Sequence, residues 1–204
     1  THPLGIIVVG TAWLWFINVF NFMDGIDGIT GVETISICVG TALILGFQGS
    51  GGDVSCLAVI VAASTVGFLA WNWHPAKLFL GDIGSIPLGF LVGWLLICLA
   101  REGQWAAALI LPSYYLVDAT LTLISRAVRL EPIWKAHRQH FYQQAVAGQL
   151  SHSQAARAVA IVNIWLIACA LVSTIMILAG LVGAFFGIVA LLCYFRLLSQ
   201  PVGS

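Results

Sequence analysis

Residues 4–28 read "LGIIVVGTAWLWFINVFNFMDGIDG", and the junction inside that stretch decides the fold. Up to residue 17 it carries no charge, and a helix needs about 20 mainly apolar residues to cross a bilayer core. Asn18, Asn21, Asp24 and Asp27 then follow in quick succession. Amides and carboxylates at a membrane border are costly unless they face a polar cavity or bind something.

The whole chain agrees with a membrane reading. Of 204 residues, 60% are hydrophobic and 8% charged, with a mean hydropathy of +1.01, whereas soluble domains carry about 25% charged residues. Eight basic and eight acidic residues cancel, so no global field points to nucleic acid as a partner. Cys38, Cys56, Cys98, Cys169 and Cys193 all lie in apolar runs without CxxC spacing, which suits small core or lipid-facing residues rather than metal ligands or disulfides. The chain begins without Met inside a hydrophobic region and shows no signal peptide. The expectation is one integral membrane domain over 1–204, a piece of a longer protein.

Seven candidate membrane segments can be marked at roughly 4–23, 34–48, 54–73, 86–100, 105–125, 158–179 and 181–198. The expected fold is an all-α polytopic bundle. "GSGGD" at 49–53, "REGQ" at 101–104, and Gly180 with Gly183 mark three of the breaks. "SHSQ" at 151–154 has the form of a capping box at the start of the sixth helix. If the first helix enters the cytoplasm, Lys77, Arg126, Arg129, Lys135, Arg138, Arg157 and Arg196 share that side and Arg101 alone does not, as the positive-inside rule requires. The same side receives "NVFNFMDGIDGITGVE", "NWHPAKLFLGDIGS" and a long loop over 126–157.

Each polar stretch has a plain and a chemical reading. Asn18, Asn21 and Asp24 are three apart, so at helical spacing they share a face. The glycines after Asp24 and Asp27 permit positive φ or close approach of a ligand. A solvated turn with capping aspartates is the plainer account, and the three-residue spacing excludes an EF-hand. "KLFLGDIGS" offers Lys77, Phe79, Asp82 and Ser85. A carboxylate in a glycine-bounded loop beside a hydroxyl suits a hard cation or a phosphate, and Ser85 also suits a helix N-cap. "HRQHFYQQ" places His137, Arg138 and His140 together. Arg forks onto two phosphate oxygens and His can donate too, which suits pyrophosphate. A zinc pair lacks further ligands nearby, and lipid headgroups are the bland alternative.

Together, "NVFNFMDGIDG", "FLGDIGS" and "AHRQHFYQQ", in that order over nearly all of the chain, resemble the polyprenyl-phosphate N-acetylhexosamine-1-phosphate transferases (glycosyltransferase family 4). The group includes phospho-N-acetylmuramoyl-pentapeptide translocase and the enzymes that initiate O-antigen synthesis. The HRxHxYQ form and "VDATLTLISRAVR" upstream look most like the O-antigen-initiating branch. The resemblance implies transfer of a sugar 1-phosphate from a UDP-N-acetylhexosamine or 6-deoxyhexosamine to undecaprenyl phosphate, releasing UMP. It implies a bacterial inner membrane, a cytoplasmic site, Mg²⁺ (or Mn²⁺ in its place), and a homodimer as an option.

Carried over residue by residue, Asp82 is the implied metal ligand. Asp24 and Asp27 serve nucleotide and phosphate binding, with one of them available as a base. Phe79 stacks on uracil with Asn72 nearby, and His137, Arg138 and His140 contact the pyrophosphate. Asn18, Asn21, Lys77, Ser85, Tyr142 and Gln143 complete the substrate-binding set. The family also has an N-terminal half with an adjacent aspartate pair, and no "DD" occurs here, so the chain is expected to be the C-terminal portion. Asp118, inside the fifth segment, is expected to face protein or the site and to pair structurally. The rival classes are a transporter, which would need polar groups at mid-bilayer depth, and a noncatalytic scaffold for lipid headgroups.

Overall fold

The computed structural model describes residues 3–50, 52–132 and 137–200, all helices and connections without strands among them. Lys135 lies outside the described residues. The helices are α1 (Pro3–Phe22), α2 (Ile29–Phe47), α3 (Gly52–Asn72), α4 (Gly81–Leu99), α5 (Trp105–Ile110), α6 (Ser113–Val128), α7 (Phe141–Gly148), α8 (His152–Ser173) and α9 (Ile177–Leu198). Among the described residues six stretches are long and apolar enough to cross a membrane: α1, α2, α3, residues Gly81–Ile110, α8 and α9. The protein is a multi-pass membrane helix bundle.

α2 and α4 each start five residues before the expected 34 and 86, and four further features depart from the segments read from sequence. The expected fifth span, 105–125, is broken at Leu111 and Pro112 into the six-residue α5 and the sixteen-residue α6. Proline at 112 has no amide hydrogen to continue the ladder of α5. α6 is amphipathic and buries Tyr114, Tyr115, Asp118, Ala119, Thr122 and Arg126 on one side. "REGQ" is not an open loop but a widened helical turn, Ala100–Gln104, kinked at Gly103 with φ 85°. The loop over 126–157 holds α7, and α8 starts at His152, earlier than residue 158. Ser151 accepts from the Gln154 amide at 3.2 Å while Gln154 Oε1 accepts from the Ser151 amide at 2.8 Å, the capping box read from "SHSQ".

Fourth, the chain reverses at Thr174–Met176, between α8 and α9, and not at Gly180 and Gly183. Those glycines lie within α9, where a Cβ on Gly180 would collide with Ser173 and the Cys169 carbonyl, and one on Gly183 with Cys169 Sγ. Small residues let two membrane helices approach closely, and apolar glycine here marks a helix contact.

α2 is the hub. It packs on α3 and α8, while α8 packs on α9 and α1 on α4. Its inward face buries Ile29, Ile37, Ile44 and Leu45. α1 instead leaves Leu4, Ile6, Ile7 and Leu14 exposed, as suits contact with lipid. Glu33 of α2 is fully buried and accepts from Asn163 Nδ2 of α8 at 2.8 Å, so the two intramembrane polar groups pair with each other, while Glu33 Oε1 and Asn163 Oδ1 stay buried without a hydrogen bond. The five cysteines are free, with Cys38 and Cys169 buried and Cys56 and Cys193 exposed.

Candidate active site

The end of α1, the starts of α2, α4 and α8, and the loop after α3 meet at one end of the bundle, bringing the three polar stretches together. The turn 23–28 is the centre. Gly28 has φ 80°, a conformation that side chains resist and glycine accepts. Its amide donates to Asn72 Oδ1 at 3.0 Å, and Asn72 Nδ2 donates to the Leu78 carbonyl at 2.8 Å. Asn72, buried, therefore ties the DGxDG turn to the loop that carries Lys77 and Phe79. That loop folds back on α3 through the Lys77 amide and the Trp71 carbonyl, 2.8 Å apart.

The third stretch docks from the other side. Tyr142 Oη donates to the Met23 carbonyl at 3.0 Å, and Gly25 leaves room for it, since a Cβ there would overlap Tyr142 Oη and Gln143 Nε2. Tyr142 is fully buried, and burial holds its phenol protonated, well above the usual range. His140 is held by Asp118, whose Oδ1 accepts from His140 Nδ1 at 3.3 Å and from the Phe141 amide at 3.1 Å. Tyr114 Oη and Thr122 Oγ1 also donate to that carboxylate, at 3.2 and 3.3 Å. Asp118 and His140 are both buried. The structural pairing expected of Asp118 is present, and its partner is the histidine stretch. The His137 ring packs at a tilt against His140 with ring centroids 4.9 Å apart, and Arg138 is exposed.

The two DG aspartates differ in surroundings. Asp24 accepts from Thr30 Oγ1 at 2.7 Å. Burial raises its pKa and the like charge of Asp82 adds to that, against the Thr30 hydrogen bond. For Asp27, burial also opposes ionisation, but His74, the Ala76 amide and His152 outweigh it and hold the carboxyl below its usual value. His74 Nδ1 lies 2.7 Å from Asp27 Oδ2, His152 Nδ1 lies 3.3 Å from Asp27 Oδ1, and the Ala76 amide donates to Oδ2 at 3.2 Å.

Asp82 stands exposed at the first turn of α4, and Phe79 just before it is 69% exposed. Ser85, expected as an N-cap, is instead buried one turn into α4, where its hydroxyl lies 2.5 Å from Asn21 Oδ1 and 3.0 Å from the Gly81 carbonyl. It thereby couples α1 to α4. Asn18 is exposed and donates to the Leu14 carbonyl at 2.7 Å, one turn back on its own helix. An apolar groove of about 640 Å³ lies between α1 and α4, lined in part by Val8, Ala12, Phe16 and Leu96. It belongs to the earlier turns of α1, not to the carboxylate end.

Sequence reasoning assigned no role to His74, His152 or Glu33. All three stand inside quoted stretches, but their partners are Asp27, 47 and 125 residues away, and Asn163, 130 away. No local spacing reports such pairs.

Residues 1–100 match the family model for glycosyl transferase family 4. A probable undecaprenyl-phosphate N-acetylglucosaminyl 1-phosphate transferase of Bacillus subtilis is 32% identical over 145 residues, 68% of this chain and 40% of that protein. A phospho-N-acetylmuramoyl-pentapeptide-transferase of Enterococcus faecalis is 37% identical over 125 residues, 59% of this chain and 38% of that protein. One from Bacillus pumilus is 44% identical over 72 residues, 35% of this chain and 22% of that protein. The chain thus spans at most about two fifths of these relatives.

Proposed function

This chain belongs to glycosyl transferase family 4, and we propose that it forms one wall of the active site of an enzyme that transfers a sugar 1-phosphate from a UDP-sugar to undecaprenyl phosphate, releasing UMP. The single observation that carries this reading is the meeting of DGxDG, FLGDIGS and HRQHFYQQ at one end of an apolar bundle, through the Gly28–Asn72 and Tyr142–Met23 hydrogen bonds. Polar groups gathered at that end suit a lipid-borne phosphate meeting a water-soluble nucleotide, on the cytoplasmic side of a bacterial inner membrane by the positions of the basic residues. A transporter would place them along a path at mid-depth.

In the proposed reaction an oxygen of undecaprenyl phosphate forms the new bond to the β-phosphorus of the UDP-sugar as the bond to the UMP oxygen breaks. The acceptor phosphate is already anionic, so positioning and charge neutralisation dominate over strong base catalysis. Asp82 and Asp24 offer the carboxylate oxygens that a divalent hard cation takes, and the negative charge of Asp82 adds to the raised pKa of Asp24. Asp82, the exposed member, would be the ligand for Mg²⁺ or Mn²⁺, which when bound supplies charge neutralisation at the phosphates. Arg138, which is exposed, and His137 beside it would meet the pyrophosphate, while His140, Tyr142 and Gln143 would hold the segment that carries them. Asn72, Asn21 and Ser85 act as positioning residues, since their side chains hold backbone or each other.

Phe79, exposed just before α4, would stack on uracil, with Lys77 two residues before it. Phe79→Ala in the full-length protein is expected to weaken UDP-sugar binding by about 1–3 kcal/mol, the usual worth of a base on an aromatic, with undecaprenyl phosphate affinity little changed. Isothermal titration with each substrate separates the two, and an unchanged UDP-sugar affinity would reduce Phe79 to a packing residue.

The sugar follows the resemblance to the O-antigen-initiating branch: an N-acetylated 6-deoxyhexosamine such as N-acetylfucosamine, with N-acetylglucosamine as runner-up. Membranes holding the full-length protein, assayed for UMP release across a panel of UDP-sugars with and without a chelator, test function, metal and sugar together. UMP release that depends on undecaprenyl phosphate and is lost with the chelator is expected. Release indifferent to the lipid would contradict the assignment.

A further inference from the structure

We propose that Asp27, His74 and His152 form a binding site for one divalent transition cation of the zinc class, separate from the Asp82 position. The three residues come from the α1–α2 turn, the loop after α3 and the first turn of α8, yet their ligand atoms all lie within 4.8 Å of one another. Two imidazole nitrogens and a carboxylate oxygen are the donors of open zinc sites, which keep a further position for water or substrate. Imidazole selects zinc, copper, iron or nickel over Mg²⁺ and Ca²⁺, which prefer oxygen throughout.

His152 Nδ1 lies 3.3 Å from Asp27 Oδ1 and His74 Nδ1 lies 2.7 Å from Asp27 Oδ2, so the two imidazoles bring ring nitrogens to the two oxygens of one carboxylate. The Ala76 amide, donating to Oδ2 at 3.2 Å, is the kind of outer hydrogen bond that orients a ligating carboxylate. The side chains of His74 and His152 are 39% and 35% exposed and Asp27 is 12% exposed, so an ion can enter from solvent.

Because the ligands come from three segments, the ion would tie the DGxDG turn to α8 and to the loop carrying Phe79, coupling metal binding to stability. Asp27, which the resemblance gives to nucleotide and phosphate binding, would then serve the ion; the argument for the ion uses only the three side chains.

The test uses the purified chain in detergent, stripped with a chelator and titrated with Co²⁺ as a spectroscopic probe. One equivalent is expected to bring up visible d–d bands, bleached by one equivalent of Zn²⁺ and not by excess Mg²⁺. His74→Ala and His152→Ala are each expected to weaken binding by more than about 100-fold, since loss of an outer partner alone costs roughly 10–100-fold. His137→Ala should leave the bands in place. Zinc absorption spectroscopy on the unaltered chain is independent of any folding defect in the variants. It should show nitrogen and oxygen neighbours at about 2.0–2.1 Å including two imidazoles. Absent cobalt bands, sulfur neighbours at about 2.3 Å, or affinity unchanged in His152→Ala would overturn the site.

Discussion

Asp82→Asn in the full-length enzyme is expected to lower sugar 1-phosphate transfer by roughly 100- to 1,000-fold, the loss that follows when several kcal/mol of transition-state charge stabilisation goes with a metal ligand. The side chain is exposed at the start of α4, and substitutions at such positions usually change stability by less than about 0.5 kcal/mol. The effect should therefore fall on turnover and on the concentration of Mg²⁺ needed for half-maximal rate, not on yield or thermal unfolding. Asparagine keeps the shape and one oxygen while removing the charge. Near-normal turnover at ordinary Mg²⁺ would remove Asp82 from the metal site.

The second large effect belongs to a residue away from the reacting atoms. Asp118→Ala leaves His140 Nδ1, the Phe141 amide, Tyr114 Oη and Thr122 Oγ1 without their shared acceptor in a buried setting. Removing one partner from such a buried network costs about 3–5 kcal/mol. Thermal unfolding of the purified protein should show a clear fall in the midpoint. Proteolysis should open the 137–148 segment first, since Asp118 holds the start of α7. Asp118→Asn, which keeps an acceptor, should lose less. Equal stability of Asp118→Ala and the unaltered protein would show that α7 is held by other contacts.

These residues show how much the sequence discloses. Membrane class and helical architecture were legible because length and composition dominate burial in lipid: α1 and α3 lie within a residue or two of the expected bounds. The turn between α8 and α9 was misplaced because glycine serves both to break helices and to let them touch, and Gly180 and Gly183 do the second. α6 was merged into a span because its amphipathic face, with Asp118 on it, was read as part of an apolar run. At the candidate site, the three motifs were legible through local spacing and resemblance. The jobs of individual side chains were not, because those depend on distant partners. Asn72 hydrogen-bonds the Gly28 backbone, Ser85 meets Asn21, and Asp27 is claimed by two histidines from other helix ends. Pairing across 40 to 130 residues leaves no periodic trace in one sequence.

The fate of the β-phosphorus tests the central claim most directly. Full-length protein in membranes should be given undecaprenyl phosphate, Mg²⁺ and a UDP-sugar radiolabelled at the β-phosphorus. Transfer of a sugar 1-phosphate predicts that the label moves into the lipid fraction while unlabelled UMP appears in equal amount, and that Asp82→Asn suppresses both. Label that stays in the aqueous phase as UDP while sugar alone reaches the lipid, or that crosses the membrane on intact UDP-sugar, would contradict the account.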